Sequence, residues 1–341
     1  MIELKAPLPD ASVCLQTPAQ KAFIEEEDIR AKMDGSFTFR WYDLKMQGVD
    51  RTAPLPVSFV WEEIAEENVP KNAYFYLLIS ESEDMQQPWT YMTMATSLDV
   101  YNLKIGTRYF WCVQKNGVRS EVLSFQTQAT LPRCLKIDCI SNVRDFGGYP
   151  VKGGRIRQGL VYRGGETELH MQLAPQGAEE LHRLGMRTEL DMRAGKENLR
   201  TSFEGIGIKR ILAPGYSYHE VFEKEKIPTL KSFFKVIADP KNYPLYFHCW
   251  GGADRTGTYA FILGAFLGMS FEDLIYDYEF TSLAIWGIRS RNYTDFLQFL
   301  DLLKALPGDT LQEQCRSFLK QYARLTDKQL ETIYTILVEK E

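Results

Sequence analysis

The chain has 341 residues, 45% of them hydrophobic and 25% charged, with a net charge of −5 at neutral pH. That is the composition of a globular chain of about two domains, and it excludes a disordered or low-complexity chain. The mildly acidic balance gives no electrostatic footprint for nucleic acid, and no apolar run approaches the about 18 residues that a membrane span needs. Met1 to Asp10 lacks a basic start followed by an apolar stretch, so no signal peptide is expected. Six cysteines, at 14, 112, 134, 139, 249 and 315, contain no Cys-x2-Cys pair, and His170, His182 and His219 show no ligand-like spacing. No metal and no cofactor are expected. Cys134 and Cys139 read as shielded small apolar residues rather than as a disulfide.

Taken in chain order, residues 1–34 read as a mixed N-terminal segment, with Glu25-Glu26-Glu27-Asp28 a solvated acidic face. From Ser36 the pattern turns to strands. Phe37, Phe39 and Trp41 alternate with Thr38 and Arg40, and Val57-Ser58-Phe59-Val60-Trp61 alternates in the same way. Residues 74–79 are apolar throughout, as in a buried strand. Leu98 to Val113 holds a leucine, a Gly106-Thr107 turn and then Tyr109-Phe110-Trp111-Cys112-Val113. Asn116-Gly117 makes a hairpin turn, and residues 120–127 close as a last strand. The 98–113 stretch resembles the E–F corner of fibronectin type III modules, which implies a β-sandwich of about seven strands over residues 35–130. Leu131-Pro132 reads as the linker to a third segment, 131–341.

After residue 138 the pattern alternates. Short strands are predicted at 160–163, 187–192, 208–212 and 245–248. A helix over 175–184 stops at Gly185, and one over 228–238 carries Leu230, Phe233, Phe234 and Ile237 on one face. Ser270 with Asp273, and Thr326 with Gln329, read as helix caps. The expectation is an α/β domain, a central sheet flanked by helices, that places its ligand at the carboxyl end of a strand.

One stretch carries chemistry: His248-Cys249-Trp250-Gly251-Gly252-Ala253-Asp254-Arg255-Thr256. Residues 243–247 lead in as a buried strand, and an apolar run from Gly257 to Gly268 leads out as a helix. A tight loop at an open helix N-terminus makes an anion site from backbone N–H groups, and the glycines let them converge. Arg255, in the first helical turn, can bind two phosphate oxygens with its fork. Helix N-termini and neighbouring cations lower a cysteine pKa to about 3.5–7.5, and a thiolate in line with phosphorus is a nucleophile. Cys249 is therefore the expected nucleophile, and Trp250, Gly251, Gly252, Ala253, Asp254 and Arg255 the phosphate-binding residues. Thr256 could offer its hydroxyl to the sulfur. His248 either fixes the loop or is a satisfied core histidine.

His-Cys-x5-Arg-Thr resembles the signature of cysteine-dependent protein tyrosine and dual-specificity phosphatases. His-Cys-x-x-Gly-x-Asp-Arg-Thr, met at Gly252, Asp254, Arg255 and Thr256, is similar to myotubularin-type lipid phosphatases and to a bacterial tyrosine phosphatase family. Asn142-Val143-Arg144-Asp145-Phe146-Gly147-Gly148-Tyr149 with 159–163 resembles that bacterial family's opening motif, and Leu190-Asp191-Met192-Arg193 with Glu197 its Asp-Leu-Arg strand end. The resemblance covers residues 138–340 and implies an α/β phosphatase domain behind the all-β sandwich. Relatives with several substrate classes often carry Lys where this chain has Ala253, which weakens a lipid-substrate reading.

The resemblance implies a phosphotyrosine phosphatase, with phosphoserine or phosphothreonine as further substrates, acting through a phosphocysteine on Cys249. A phosphoinositide phosphatase, or a phosphate-reading pseudoenzyme or scaffold, is the alternative. Expected partners are phosphoproteins or phosphopeptides, with a phosphoinositide as the lipid alternative and no nucleic acid; the partner of the sandwich is open. A nucleophilic cysteine must stay reduced, so the cytoplasm is the expected location, unless a leader has been cleaved from the chain. For the general acid, Asp254 ranks first, Asp191 second and Glu220 or Glu223 third; Asp239, before Pro240, stands at an apparent helix end. Arg144, Asp145 and Arg163 read as an ion-pair scaffold under the loop.

Overall fold

Alternating apolar side chains build the first of two units of the chain, residues 1–17 with 54–131; the second is residues 18–53 with 132–341. The computed structural model describes residues 2–25, 50–64, 74–168, 172–194, 202–285 and 287–340. In the strand Val57–Glu63, Val57, Phe59 and Trp61 are buried while Ser58 and Glu62 are exposed. This strand pairs antiparallel with Ile2–Ala6 on one side and Ser97–Val100 on the other. A second sheet runs in the order Ala11–Val13, Leu123–Thr127, Arg108–Lys115, Phe75–Ser80, Trp89–Thr93, with Val118–Arg119 folded back onto Arg108–Lys115. Phe59 and Trp61 from the first sheet share one core with Leu77, Ile79, Trp111 and Phe125 from the second. The Tyr109 hydroxyl accepts the Lys104 N–H at 2.8 Å and closes the corner before its strand. Asn116 and Gly117 both take positive φ, 51° and 79°, as a two-residue hairpin requires.

The N-terminal boundary differs from the sequence reading. Residues 1–34 are not a separate segment: strands Ile2–Ala6 and Ala11–Val13 belong to the first unit, whereas helix Pro18–Glu25 belongs to the second. Both strands are too short to show a period, and they gain their hydrogen bonds from partners far along the chain. Phe23 of the helix packs edge-on against Phe280, with ring centroids 5.7 Å apart. The strand expected at Phe37–Trp41 and the acidic residues after Glu25 lie outside the described residues.

The second unit is α/β. Its main sheet has the order Arg144–Asp145, Val161–Gly164, Leu245–His248, Thr188–Asp191, Lys209–Leu212. The last four strands are mutually parallel, and the first is antiparallel to its neighbour. Leu245–His248 lies at the centre with all four residues buried, which explains its apolar sequence. The helix that follows, Asp254–Leu267, is buried from Thr256 to Leu267, so it is apolar all round rather than amphipathic, and it ends at Gly268 in the left-handed region.

The other helices hold the expected punctuation. Pro175–Arg183 stops before Gly185, Ile227–Ile237 buries the four predicted apolar residues, and Ser270 and Thr326 cap their helices. A small sheet of Pro150–Val151, Gly154–Ile156 and Val338–Lys340 was not predicted. Cys134 is buried, but Cys139 is exposed, because it sits at φ 69° in a turn between the bridged Ile137 and Ile140. Among the described residues no helix is long and apolar enough to cross a membrane.

Candidate active site

The carbonyl groups of the loop after Leu245–His248 define its shape. The Cys249 carbonyl lies 2.9 Å from His248 Nδ1. The Trp250 carbonyl accepts the Glu166 N–H at 2.8 Å. Asn142 Nδ2 donates to the Gly251 and Gly252 carbonyls at 3.0 and 3.1 Å, and Arg163 Nη2 donates to the Gly252 carbonyl at 2.9 Å. In a trans peptide the C=O of one residue and the N–H of the next point in opposite directions. Four consecutive carbonyls held from behind therefore turn the N–H groups of Trp250, Gly251, Gly252 and Ala253 to the opposite side. There they join the open N-terminus of Asp254–Leu267, whose N-cap Ala253 makes no side-chain cap. Gly252 has φ 64°, and a Cβ on it would lie 2.3 Å from the Gly164 backbone, so only glycine fits. Cys249 stands at the floor, 3% exposed.

The scaffold is built from buried charge. Asp277, on the helix Phe271–Phe280, accepts from Arg144 Nε at 3.0 Å and from Arg163 Nη1, and all three side chains are buried. Burial pushes Asp277 up, but the two guanidiniums outweigh it and hold its carboxyl below the ordinary range. Arg144 also donates to the Asn142 side chain, which places the amide that grips the loop. Asp145 ties Arg133 and the N–H groups of Gly147 and Gly159, both at 2.7 Å. Arg144, Asp145 and Arg163 thus face the scaffold.

The candidate acids fall in different places. Asp254 opens the helix and is held from outside the loop: Arg289 Nε and Nη2 donate to its two oxygens at 2.7 Å each, and the Tyr218 hydroxyl donates at 2.5 Å. Burial raises its pKa, yet the Arg289 fork and the Tyr218 hydroxyl outweigh burial and keep it below the ordinary value. Asp191 is fully buried. Arg193 donates to both of its oxygens, and Arg210 Nη2 donates at 2.6 Å. Against the burial that would raise it, His248 and Arg193 bring it to about 2, so Asp191 is a fixed anion and not a proton donor. Glu220 caps its own 3-10 turn through the Ser217 N–H at 3.0 Å, Glu223 is exposed, and Asp239 caps Lys241.

Near Cys249, Arg255 is half-buried and donates Nη1 to the Met192 carbonyl at 3.4 Å. The Thr256 hydroxyl is directed at Met192 Sδ, 4.0 Å away, rather than at Cys249 as expected. The reason is positional: Thr256 is already in the helix, and its side chain is buried toward the strand end at Met192. His248 is fully buried, with Nε2 2.7 Å from Glu189 Oε1. Glu189, Asn142, Asp277, Tyr218 and Arg289 were not expected to serve the loop. Their contacts span 35 to 133 residues, and no local pattern reports them.

The model of the tyrosine phosphatase family matches residues 135–339, more than half of the chain. A Cupriavidus necator protein whose name places it among the tyrosine-protein phosphatases is 31% identical over 42% of this chain; the chain spans 61% of that relative's length. Among solved structures, the catalytic core of the yeast PP-IP phosphatase SIW14 is 14% identical over 50% of this chain and 90% of its own, with a TM-score of 0.30. A human fibronectin type III domain is 24% identical over 22% of this chain and 66% of its own, with a TM-score of 0.19. Scores this low do not establish a shared fold. The family match does establish membership: the chain belongs to the tyrosine phosphatase family.

Proposed function

We propose that this member of the tyrosine phosphatase family hydrolyses phosphate monoesters through a phosphocysteine on Cys249, with phosphotyrosine as the main substrate and phosphoserine or phosphothreonine as further ones. The observation that carries the reading is the set of four loop carbonyls, 249 to 252, bound from behind, which turns the N–H groups of Gly251, Gly252 and Ala253 toward the helix N-terminus beside Cys249. In the first step the Cys249 sulfur attacks phosphorus, the bond to the leaving oxygen breaks, and that oxygen takes a proton. In the second, water attacks the phosphocysteine, the P–S bond breaks, and phosphate leaves. Arg255 supplies the planar fork for the equatorial oxygens in both steps.

Asp254 is the group we assign to the proton. Its resting form is a carboxylate, held by Arg289 and Tyr218. That form suits the second step, in which it accepts a proton from the attacking water. The first leaving oxygen takes its proton from solvent, and the proton that Asp254 gains in the second step serves the next leaving group. Asp254 stands in the loop itself with its side chain 39% exposed, whereas Asp191 is fully buried against Arg193 and Arg210 and Glu220 is turned to the Ser217 cap.

Phosphate release from p-nitrophenyl phosphate without added metal tests the reading. We expect turnover by the native chain and none by Cys249→Ser, which should still bind phosphate. Steady turnover by Cys249→Ser would remove the phosphocysteine. No turnover by the native chain would leave a phosphate-reading protein. A panel of phosphopeptides and short-chain phosphoinositides ranks the substrates; a preference for the lipids would replace phosphotyrosine. The first unit we read as a fibronectin type III-like module, supported by its two sheets on one core and by the Tyr109 corner.

A further inference from the structure

We propose that Glu189 is a positioning residue: it keeps His248 as a doubly protonated imidazolium, and this ring holds the Cys249 carbonyl at the start of the loop. The inference rests on the phosphatase reading for its catalytic consequence, but not for the charge state itself.

Hydrogen-bond inventory carries the argument. His248 Nδ1 lies 2.9 Å from the Cys249 carbonyl, and Nε2 lies 2.7 Å from Glu189 Oε1. A carbonyl oxygen only accepts, and so does an ionised carboxylate. A neutral imidazole has one N–H and satisfies one of them. With no solvent at a fully buried ring, the second nitrogen would then turn a lone pair toward an acceptor. The imidazolium donates to both.

The surroundings place the proton on the ring. Glu189 and Asp191, on the adjacent strand, face His248 and favour the cation; Arg193 opposes it, and Tyr246 on its own strand is neutral. Arg193 is itself engaged by Glu166, Glu168 and Asp191, and Arg210 by Asp191. Among the described residues these two guanidiniums meet five carboxylates, Glu166, Glu168, Glu189, Asp191 and Glu204, and the imidazolium reduces that excess of negative charge. Burial alone would lower the His248 pKa; the Glu189 bond and charge, with Asp191, raise it instead.

Glu189, Asp191 and His248 also bring ligand-type atoms within 4.8 Å of one another. Both Asp191 oxygens, however, already receive N–H groups from Arg193, and one of them also from Arg210. A metal ion would have to displace guanidiniums, whereas a proton on His248 fits the cluster as it stands.

The test uses the full chain labelled with ¹⁵N-histidine. The chain has four histidines, so the His248 ring signals can be assigned by their loss in His248→Asn. In the native protein both ring nitrogens should carry protons at pH 7. In Glu189→Gln the ring should titrate near the ordinary value of about 6.5, while Glu189→Asp should restore the imidazolium. Above that midpoint, kcat of Glu189→Gln on p-nitrophenyl phosphate should fall about tenfold, the loss expected when one buried charge-assisted bond is weakened, with the inhibition constant for inorganic phosphate moving less. A neutral His248 in the native protein at pH 7 would overturn the proposal without any variant having to fold. So would an unchanged titration in Glu189→Gln, or ring signals that respond to stoichiometric zinc. A protein without turnover but with the imidazolium intact would sink the phosphatase reading and leave this assignment standing.

Discussion

Replacing Asp277 with Asn should loosen the phosphate loop without touching it. Asp277 is the shared carboxylate of Arg144 and Arg163, all three buried, and Arg163 in turn holds the Gly252 carbonyl at 2.9 Å. Asn keeps an acceptor but removes the charge, so the two buried guanidiniums lose the carboxylate they share. Breaking a buried pair in this way costs about 3–5 kcal/mol, a large part of a domain stability of about 5–15 kcal/mol. Because the chain has two units, the loss should be read locally, from hydrogen exchange of peptides that cover Leu245–His248 as urea is raised. The sign of the pH dependence follows from the depressed Asp277 pKa. Its stabilisation is present above the unfolded value, about 3.9, and is lost as pH falls through the lower folded value. The difference between native and variant should therefore be full at pH 7 and shrink in acid. A loss below about 1 kcal/mol at pH 7, with phosphate binding intact, would show that the two arginines do not depend on Asp277 and that the scaffold argument is wrong.

Gly252→Ala should abolish phosphate binding, since a Cβ there meets the Gly164 backbone at 2.3 Å and φ 64° disfavours it as well; p-nitrophenyl phosphate turnover within about tenfold of native would refute the loop geometry. Arg255→Lys should lower kcat/KM by about 10³ or more through loss of the fork, and a near-native rate would mean that Arg255 points away from the anion. Asp254→Asn should cut turnover by about 10²–10⁴ on substrates with poor leaving groups, such as phosphoserine, and less on p-nitrophenyl phosphate. An equal loss on all substrates would make Asp254 an anchor for Arg289 and Tyr218 rather than the proton carrier.

The parts of the site that are contiguous in the chain were legible in it. Strand, loop and helix from Leu245 to Leu267 carry their own signals: an apolar lead-in, glycines where the backbone turns, and a cysteine and an arginine six residues apart. The helix stops and caps at Gly185, Ser270 and Thr326 are likewise local, and the structure keeps them. What the sequence hid is pairing at a distance. Asp277 meets Arg144 across 133 residues, and Glu189 meets His248 across 59. A carboxylate on an amphipathic helix or in an apolar strand gives no sign of which cation it faces. The first unit shows the same limit: Ile2–Ala6 becomes a strand only because Val57–Glu63 offers it hydrogen bonds. Asp191 was ranked as an acid from its place at a strand end, and that place is correct. Its two guanidinium partners, Arg193 and Arg210, decide its protonation state instead.

Those distant contacts explain how a loop of small residues can do electrostatic work. A free chain of Gly251, Gly252 and Ala253 would sample many backbone states, and ordering it on the ligand would cost about 1–2 kcal/mol per residue. Here the ordering is done by groups that never touch the phosphate: Asn142 and Arg163 on the Gly251 and Gly252 carbonyls, the Glu166 N–H on Trp250, and His248 on Cys249. Each of those groups is fixed by a partner behind it, Arg144 for Asn142, Asp277 for Arg163 and Glu189 for His248. N–H dipoles that are already aimed before the anion arrives need no reorganisation when charge develops in the transition state, which is where such dipoles contribute most to rate. On the proposed reading the buried charges behind the loop position it for the reaction, although by place alone they would pass for ordinary core ion pairs.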